Sequence, residues 1–594
     1  MNNSKERDKG YRKWLLKHLF RQKYLVMLVI IGIFVVSLGV TIMPIIIGRI
    51  IDNVLITRDL ANLLILLVIG LSVSFGYNVS DYLVMMVGHY LGLKIEKNMR
   101  QEFFDTIQLK TLSFHDNVRT GDLLAFATND VRVINTMVAH GSFFIYPFIQ
   151  IFITLYLLIE VLDYRLALFS LPFIVLYFYF ILYYRKRLSP FVTKRMKKYS
   201  NLAIVLQDSI TGANVVRAFN AEMLERKKFR RSVIDYKNNM IGINVVQARY
   251  YALLILYLLI GCTLLICCFF VYQNTLTVGD LVAINILFIA LIEPTRMIHW
   301  STNDMMNGFA AASRLYTSLS KGESETDKDT TLGWPVQFKG KIEFKNVSFT
   351  HENGTKNHPP TLSNITFSIE PFERVALVGP TGCGKSTLAK LILSLYKPQE
   401  GSILLDGVDI SNYSFEALRR HIGYIEQEIY LYPRTIKENI KFGKPDATEE
   451  EIFRAAELAQ VDDFVKQRPN GYESIVGERG IRLSGGEKQR IAIARAFLTD
   501  PKILIFDDSV SAVDSETEEK IGLAMENILR NRTTIIITHR LHTIRNSDKI
   551  IVLKHGKIVA EGKHNDLLQS SEDYRRIFGK KITQSNILVK KRGK

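Results

Sequence analysis

Gly379-Pro380-Thr381-Gly382-Cys383-Gly384-Lys385-Ser386 follows the apolar run Arg374-Val375-Ala376-Leu377-Val378 and opens a segment of helical character. Strand, glycine-rich loop and helix in that order form a phosphate-binding loop. The glycines let the backbone wrap phosphate oxygens, and the helix N-terminus favours their charge. Lys385 then reaches the β and γ phosphates, Ser386 supplies a hydroxyl for Mg2+, and Thr387 adds a phosphate contact. From Gly340 onward β-rich segments alternate with helical ones, which predicts an α/β domain around this loop.

Ile503-Leu504-Ile505-Phe506 is a second apolar strand, and it ends in Asp507. A carboxylate at the edge of a dry sheet, in register with a phosphate loop, is placed to hold Mg2+, usually through water. Upstream, Leu483-Ser484-Gly485-Gly486-Glu487 opens a helix that includes Lys488 to Ala494. The amides and the hydroxyl at that N-terminus make a second anion site, one with no nucleotide of its own within a single domain.

The first half of the chain is of another kind. Apolar runs near 24–50, 62–87, 141–160, 164–184, 250–272 and 279–300 are each long enough to cross a hydrocarbon core of about 30 Å. Six long runs with few charges exclude the reading as buried helices of a soluble protein. Residues 1–23 are strongly charged and the first run is too long for a signal peptide, so the N-terminus is expected to stay in the cytoplasm. The net charge of +18 is concentrated at the N-terminus, in Arg185 to Lys198 and in Arg217 to Arg231, which fall on one side of the membrane. Positive-inside bias accounts for this excess, and a nucleic-acid role is excluded by the six spans. The four cysteines, Cys262, Cys267, Cys268 and Cys383, form neither a disulfide framework nor a zinc pattern.

These runs divide the chain into a transmembrane domain over 1–320, a polar linker over 321–339, a nucleotide-binding domain over 340–579 and a basic tail over 580–594. Between the second and third runs, and between the fourth and fifth, lie polar helical stretches. The first contains Phe114-His115-Asp116, and the second contains Val215-Val216-Arg217-Ala218-Phe219.

Taken together, the phosphate loop, Ser484 to Glu487 and Asp507 identify the chain as a member of the ABC ATPases, and its whole length resembles the half-transporters among ABC exporters. The resemblance implies an all-α polytopic membrane domain of six transmembrane helices followed by an α/β P-loop ATPase domain. Further residues align in order. Gln427 in Ile422-Gly423-Tyr424-Ile425-Glu426-Gln427 matches the glutamine that contacts the metal and the attacking water, Val476-Gly477-Glu478-Arg479-Gly480 the exporter-specific segment, Asp514 in Ser511-Ala512-Val513-Asp514 the loop that crosses to the other subunit, and His539 the switch histidine at the γ-phosphate. The two polar helical stretches resemble intracellular loops resting on nucleotide-binding domains. In the family two such domains sandwich two ATP molecules head to tail, so this chain is expected to pair.

Two departures concern the nucleotide held by this chain's own phosphate loop. Asp508 stands where the family usually has the glutamate that polarises water, and its carboxylate is one methylene shorter. His351 stands where exporters usually place a tyrosine against adenine. Ser484, Gly485, Gly486, Asp514 and His539 are regular. This asymmetry resembles one half of a heterodimer whose site over Lys385 is slow and whose Ser484 completes the partner's competent site. The expected function is therefore ATP-driven export of amphipathic drugs or lipids across the cell membrane, with a second half-transporter as partner. A homodimer using Asp508 as base, or a nucleotide-gated channel-like protein, are the alternative readings.

Overall fold

The computed structural model describes residues 2–507 apart from 58, 163, 250, 326–337 and 352–359, and then 522, 526, 528, 529 and 531–578. Contacts divide the chain into two compact units. One comprises Met1–Gln108 and Arg119–Lys321, the other Leu109–Val118 and Gly322–Lys594.

In the first unit, six helical stretches among the described residues are long and apolar enough to cross a membrane: Lys23–Ile56, Leu60–Gln108, Thr120–Glu160, Tyr164–Thr211, Glu222–Tyr272 and Val278–Ser320. All but the first are far longer than an apolar core requires, because each continues as helix into polar sequence. The apolar runs locate these spans. The sixth is interrupted after Ile289 and resumes as Ile292–Ser320, with Glu293 and Pro294 in its first turn, where a proline lacking an N–H is tolerated. The fourth, fifth and sixth spans meet around Leu166, Leu188, Leu256 and Phe288, all nearly inaccessible.

The first and sixth spans are joined end to end. Asp52 closes the first, and its carboxylate accepts the Gly279 N–H at 2.8 Å and the Thr277 hydroxyl at 2.7 Å. Thr277 and Asp280 form a reciprocal cap on the same helix start. The backbones touch there: a Cβ built on Gly279 would lie 2.2 Å from the Gly48 carbonyl oxygen.

The second unit carries two sheets. Strands β1 (Ile342–Phe349), β2 (Leu362–Ile369), β4 (Glu400–Leu405) and β5 (Val408–Asp409) form an antiparallel sheet in the order β2-β1-β4-β5. Strands β3 (Arg374–Val378), β6 (Ile422–Ile425), β7 (Ile503–Asp507), β8 (Thr533–Ile537), β9 (Lys549–Lys554) and β10 (Lys557–Gly562) form the other, in the order β10-β9-β3-β8-β7-β6. The β9, β3, β8, β7 and β6 strands are parallel, and their continuous apolar character is that of strands covered on both faces.

The sequence places residues 109–118 in the membrane domain, yet they pack with the second unit. The reason is local. Glu325 N–H donates to the Leu109 carbonyl at 2.6 Å, Thr111 N–H to the Glu323 carbonyl at 3.2 Å, and Lys110 to the Gly322 carbonyl at 3.0 Å. The start of the linker is thus hydrogen-bonded, and Glu325 also pairs with Arg419 at 2.7 Å. The rest of the linker from 326 to 337, and the basic tail, lie outside the described residues.

Candidate functional site

The site is built at the carboxyl ends of adjacent parallel strands, where such sheets leave a crevice. Gly379 follows β3, Asp507 ends β7, Gln427 lies two residues beyond β6 and His539 two beyond β8. Because Ile425 pairs with Phe506 and Asp507 with Ile537, strand register alone carries Gln427, Asp507 and His539 to the same edge.

At the phosphate loop the buried strand β3 delivers the chain to Gly379, and helix Lys385–Ile392 leads away, anchored by buried Leu388, Leu391 and Ile392. Gly384 caps the helix at φ 105°, in the left-handed region, and a Cβ there would come within 2.6 Å of Leu362. Pro380, Thr381 and Gly382 are exposed, whereas Cys383 and Lys385 are buried. The Lys385 ammonium donates to the carbonyls of Gly379 at 2.9 Å and Pro380 at 3.0 Å, which points it into the loop.

Asp507 is 5 % exposed. Burial raises its pKa above the ordinary carboxylate value, and a hydrogen bond from Ser386 and the charge of Lys385 work against that rise. A hydroxyl and a carboxylate already in contact, both hard oxygen donors, fit Mg2+. Gln427, Asp507, Gly485, Lys488 and Gln489 line one cleft of about 270 Å³.

Ser484 and Gly485 are exposed at the start of the fifteen-residue helix Gly485–Thr499. Ser484 N–H donates to Glu487 at 2.7 Å, Glu487 N–H donates to the Ser484 hydroxyl oxygen at 3.3 Å, and Arg468 fixes Glu487 at 2.9 Å. This capping box leaves the hydroxyl proton and the N–H groups of Gly485 and Gly486 for an anion.

His351 lies against Thr387, with Nε2 and the hydroxyl 3.3 Å apart, and edge-on to Phe349 and Tyr396. Burial lowers its pKa, the nearby Asp116 opposes this and Lys390 adds to it, so the imidazole is neutral at physiological pH. The Tyr396 hydroxyl in turn donates to Asp116 on the short helix Leu112–Asn117. Sequence reasoning missed Tyr396: its partners lie far away in the chain, and no local pattern marks it. Two expected residues, Asp508 and Asp514, lie outside the described residues.

Comparison with known proteins accords with this geometry. Residues 26–295 match the ABC transporter transmembrane region and residues 362–511 match the ABC transporter domain. The chain is 34% identical over 500 residues to the putative multidrug export ATP-binding/permease protein YgaD of Bacillus subtilis (strain 168), covering 84% of this chain and 86% of the relative. It is 34% identical over 537 residues to the ATP-dependent lipid A-core flippase of Desulfotalea psychrophila, covering 89% and 91%. Among solved structures, a bacterial Atm1-family ABC exporter with ATP bound superposes with a TM-score of 0.80 at 28% identity, covering 94% of this chain and 98% of that one. With six spans ahead of one ATP-binding domain, the chain belongs to the ABC transporter family as an exporter-type half-transporter.

Proposed function

We propose that this chain is one half of a heterodimeric exporter that uses ATP to move amphipathic drugs or lipids out of the cytoplasm or inner leaflet. The observation that carries the reading is the pairing of Asp508, where a glutamate is usual, with a regular Leu483-Ser484-Gly485-Gly486-Glu487 in the same domain. Asp507 and Ser386 would hold Mg2+, which supplies charge neutralisation at the β and γ phosphates. Lys385 and the loop amides from Gly379 to Ser386, with Thr387, would bind the phosphates, His351 would flank adenine, and Gln427 and His539 would orient water and γ-phosphate. Asp508, withdrawn by about one bond length, would align that water poorly, and positioning dominates the rate of this reaction. Ser484, Gly485 and Gly486, with Asp514, would act on the nucleotide of the partner.

Pairing has a second support. Val215, Phe219, Met223 and Leu224 in the second polar stretch are 61%, 79%, 73% and 68% exposed, an apolar patch that calls for a covering surface. The distribution of Lys and Arg supports a cytoplasmic N-terminus and nucleotide-binding domain. The names of relatives, one a multidrug exporter and one a lipid flippase, support an amphipathic substrate.

The test is steady-state ATPase of the purified single chain in lipid. Slow turnover, raised tenfold or more by Asp508→Glu, is the expected result. Fast turnover by the unaltered chain that Asp508→Asn abolishes would make Asp508 a working base and the homodimer the functional form.

A further inference from the structure

A cavity of about 370 Å³ opens among the first, second, third and sixth spans. Its walls are mostly apolar, and they also carry the rings of Tyr77, Phe143 and Tyr146 and two carboxylates, Asp81 and Glu293. The volume is that of a drug-sized site.

The two carboxylates are not equivalent. Glu293 sits in the first turn of helix Ile292–Ser320, where the helix dipole favours a negative charge, and it lies 3.6 Å from Arg296 on the same helix. Its charge is answered within the chain. Asp81 lies in the middle of the helix Leu60–Gln108, away from either end, and among the described residues its carboxylate has no ion pair or hydrogen bond. An unanswered carboxylate inside a spanning segment is costly and is retained where it faces a water-filled cavity or a cationic partner. Three aromatic rings beside it add faces that attract a cation. Asp81 is roughly 30 Å along its helix from Leu60, near the end of the apolar stretch. An amphipathic molecule can thus set a charged head at Asp81 while its apolar body lies along Ile33, Val36 and Val84.

We infer that this cavity is a substrate site for amphipathic organic cations, with Asp81 as the carboxylate that recognises the positive charge and Glu293 held out of that role by Arg296. The inference rests on the exporter reading above and narrows its substrate class.

The experiment uses the full chain in detergent, together with its partner where the two assemble, and measures binding of radiolabelled tetraphenylphosphonium, of neutral tetraphenylmethane and of anionic tetraphenylborate. The cation is expected to bind in preference to both others. Asp81→Asn should weaken cation binding tenfold or more while leaving thermal unfolding unchanged, Asp81→Glu should restore it, and Glu293→Gln should change it less than threefold. Equal cation binding by Asp81→Asn, equal binding of all three probes, or a larger loss in Glu293→Gln would overturn the assignment. ATP-driven uptake of the probes into inverted vesicles separates the two levels. Cation binding without ATP-driven movement of any substrate defeats the exporter reading and leaves the site standing; ATP-driven movement of neutral lipid with no cation preference defeats the site alone.

Discussion

The Tyr396 hydroxyl donates to the Asp116 carboxylate at 2.5 Å, and the Tyr396 ring lies 5.1 Å from that of His351. One side chain therefore touches both the short helix Leu112–Asn117 and the flank of the nucleotide loop. Burial, and the carboxylate it bonds, push the phenol well above its ordinary range, so the hydroxyl remains a donor at any working pH. Tyr396→Phe keeps the ring and removes that bond, at a cost of about 1 kcal/mol, or roughly a fivefold change in a local opening equilibrium. Amide exchange across 109–118 should quicken by about that factor while ATP affinity stays within about twofold. Unchanged exchange would mean that packing and the 322–325 segment hold the helix without Asp116.

Asp507 gives a pH dependence whose sign follows from its raised pKa. Between the ordinary value of 3.8 and the raised one, the unfolded chain has released its proton and the folded chain has not. The metal-free protein thus loses stability as pH rises through that window, and Asp507→Asn should flatten the dependence and raise the thermal midpoint near neutrality. Mg2+ needs the ionised carboxylate, so Mg2+-dependent tightening of ATP binding should fall as pH drops through the raised pKa and vanish in Asp507→Asn. Calorimetry with and without Mg2+ between pH 4.5 and 8 measures both; a Mg2+ effect that survives the substitution would remove Asp507 from the metal site.

In the assembled pair, Ser484→Arg should depress hydrolysis more than Lys385→Ala. On the proposed heterodimer reading the lysine would serve the slow site, where losing one charge-assisted bond costs about 1.5–3 kcal/mol of binding that high ATP offsets. On the same reading Ser484→Arg would block closure over the partner's nucleotide, and it also removes the cap on helix Gly485–Thr499. Ser484→Ala controls for the cap, which is worth about 1 kcal/mol. ATPase at saturating ATP and equal assembly is the measurement, and the reverse ranking would mean that the two composite sites are assigned the wrong way round.

Gly279→Ala should be among the most damaging single-methyl changes in the membrane unit. The added Cβ meets the Gly48 carbonyl oxygen at 2.2 Å and the Asp52 carboxylate at 2.4 Å, so the helices must separate. Overpacking of this kind costs about 1–3 kcal/mol. Thermal unfolding in detergent tests it, with Gly76→Ala, whose Cβ would meet nothing within 4 Å, as the neutral comparison.

Much of this architecture is legible in the chain because its determinants are local. The strand over 374–378, the loop after it and the strand ending at Asp507 each announce themselves within a few residues, and long apolar runs mark spans by length alone. Even the meeting of Gln427 with Asp507 was implicit, since two parallel strands bring their ends together. What escaped is pairing between distant segments. Nothing near Leu109 or Thr111 signals that their backbone groups bond Glu323 and Glu325, and nothing near Tyr396 names Asp116. The inequality of Asp81 and Glu293 was partly visible, because Arg296 stands three residues from Glu293, but the cavity that gives it meaning needs four helices in place.

The contact of Asp52 with Thr277 and Gly279 has a mechanical consequence. A carboxylate gripping a backbone amide, with two glycines in van der Waals contact beneath it, makes the end of the first span and the start of the sixth a single stiff corner. Such a corner can rotate, but it cannot be pried apart without breaking a charge-assisted bond and exposing backbone. When the membrane unit changes which side it opens to, the parting has to run along other seams.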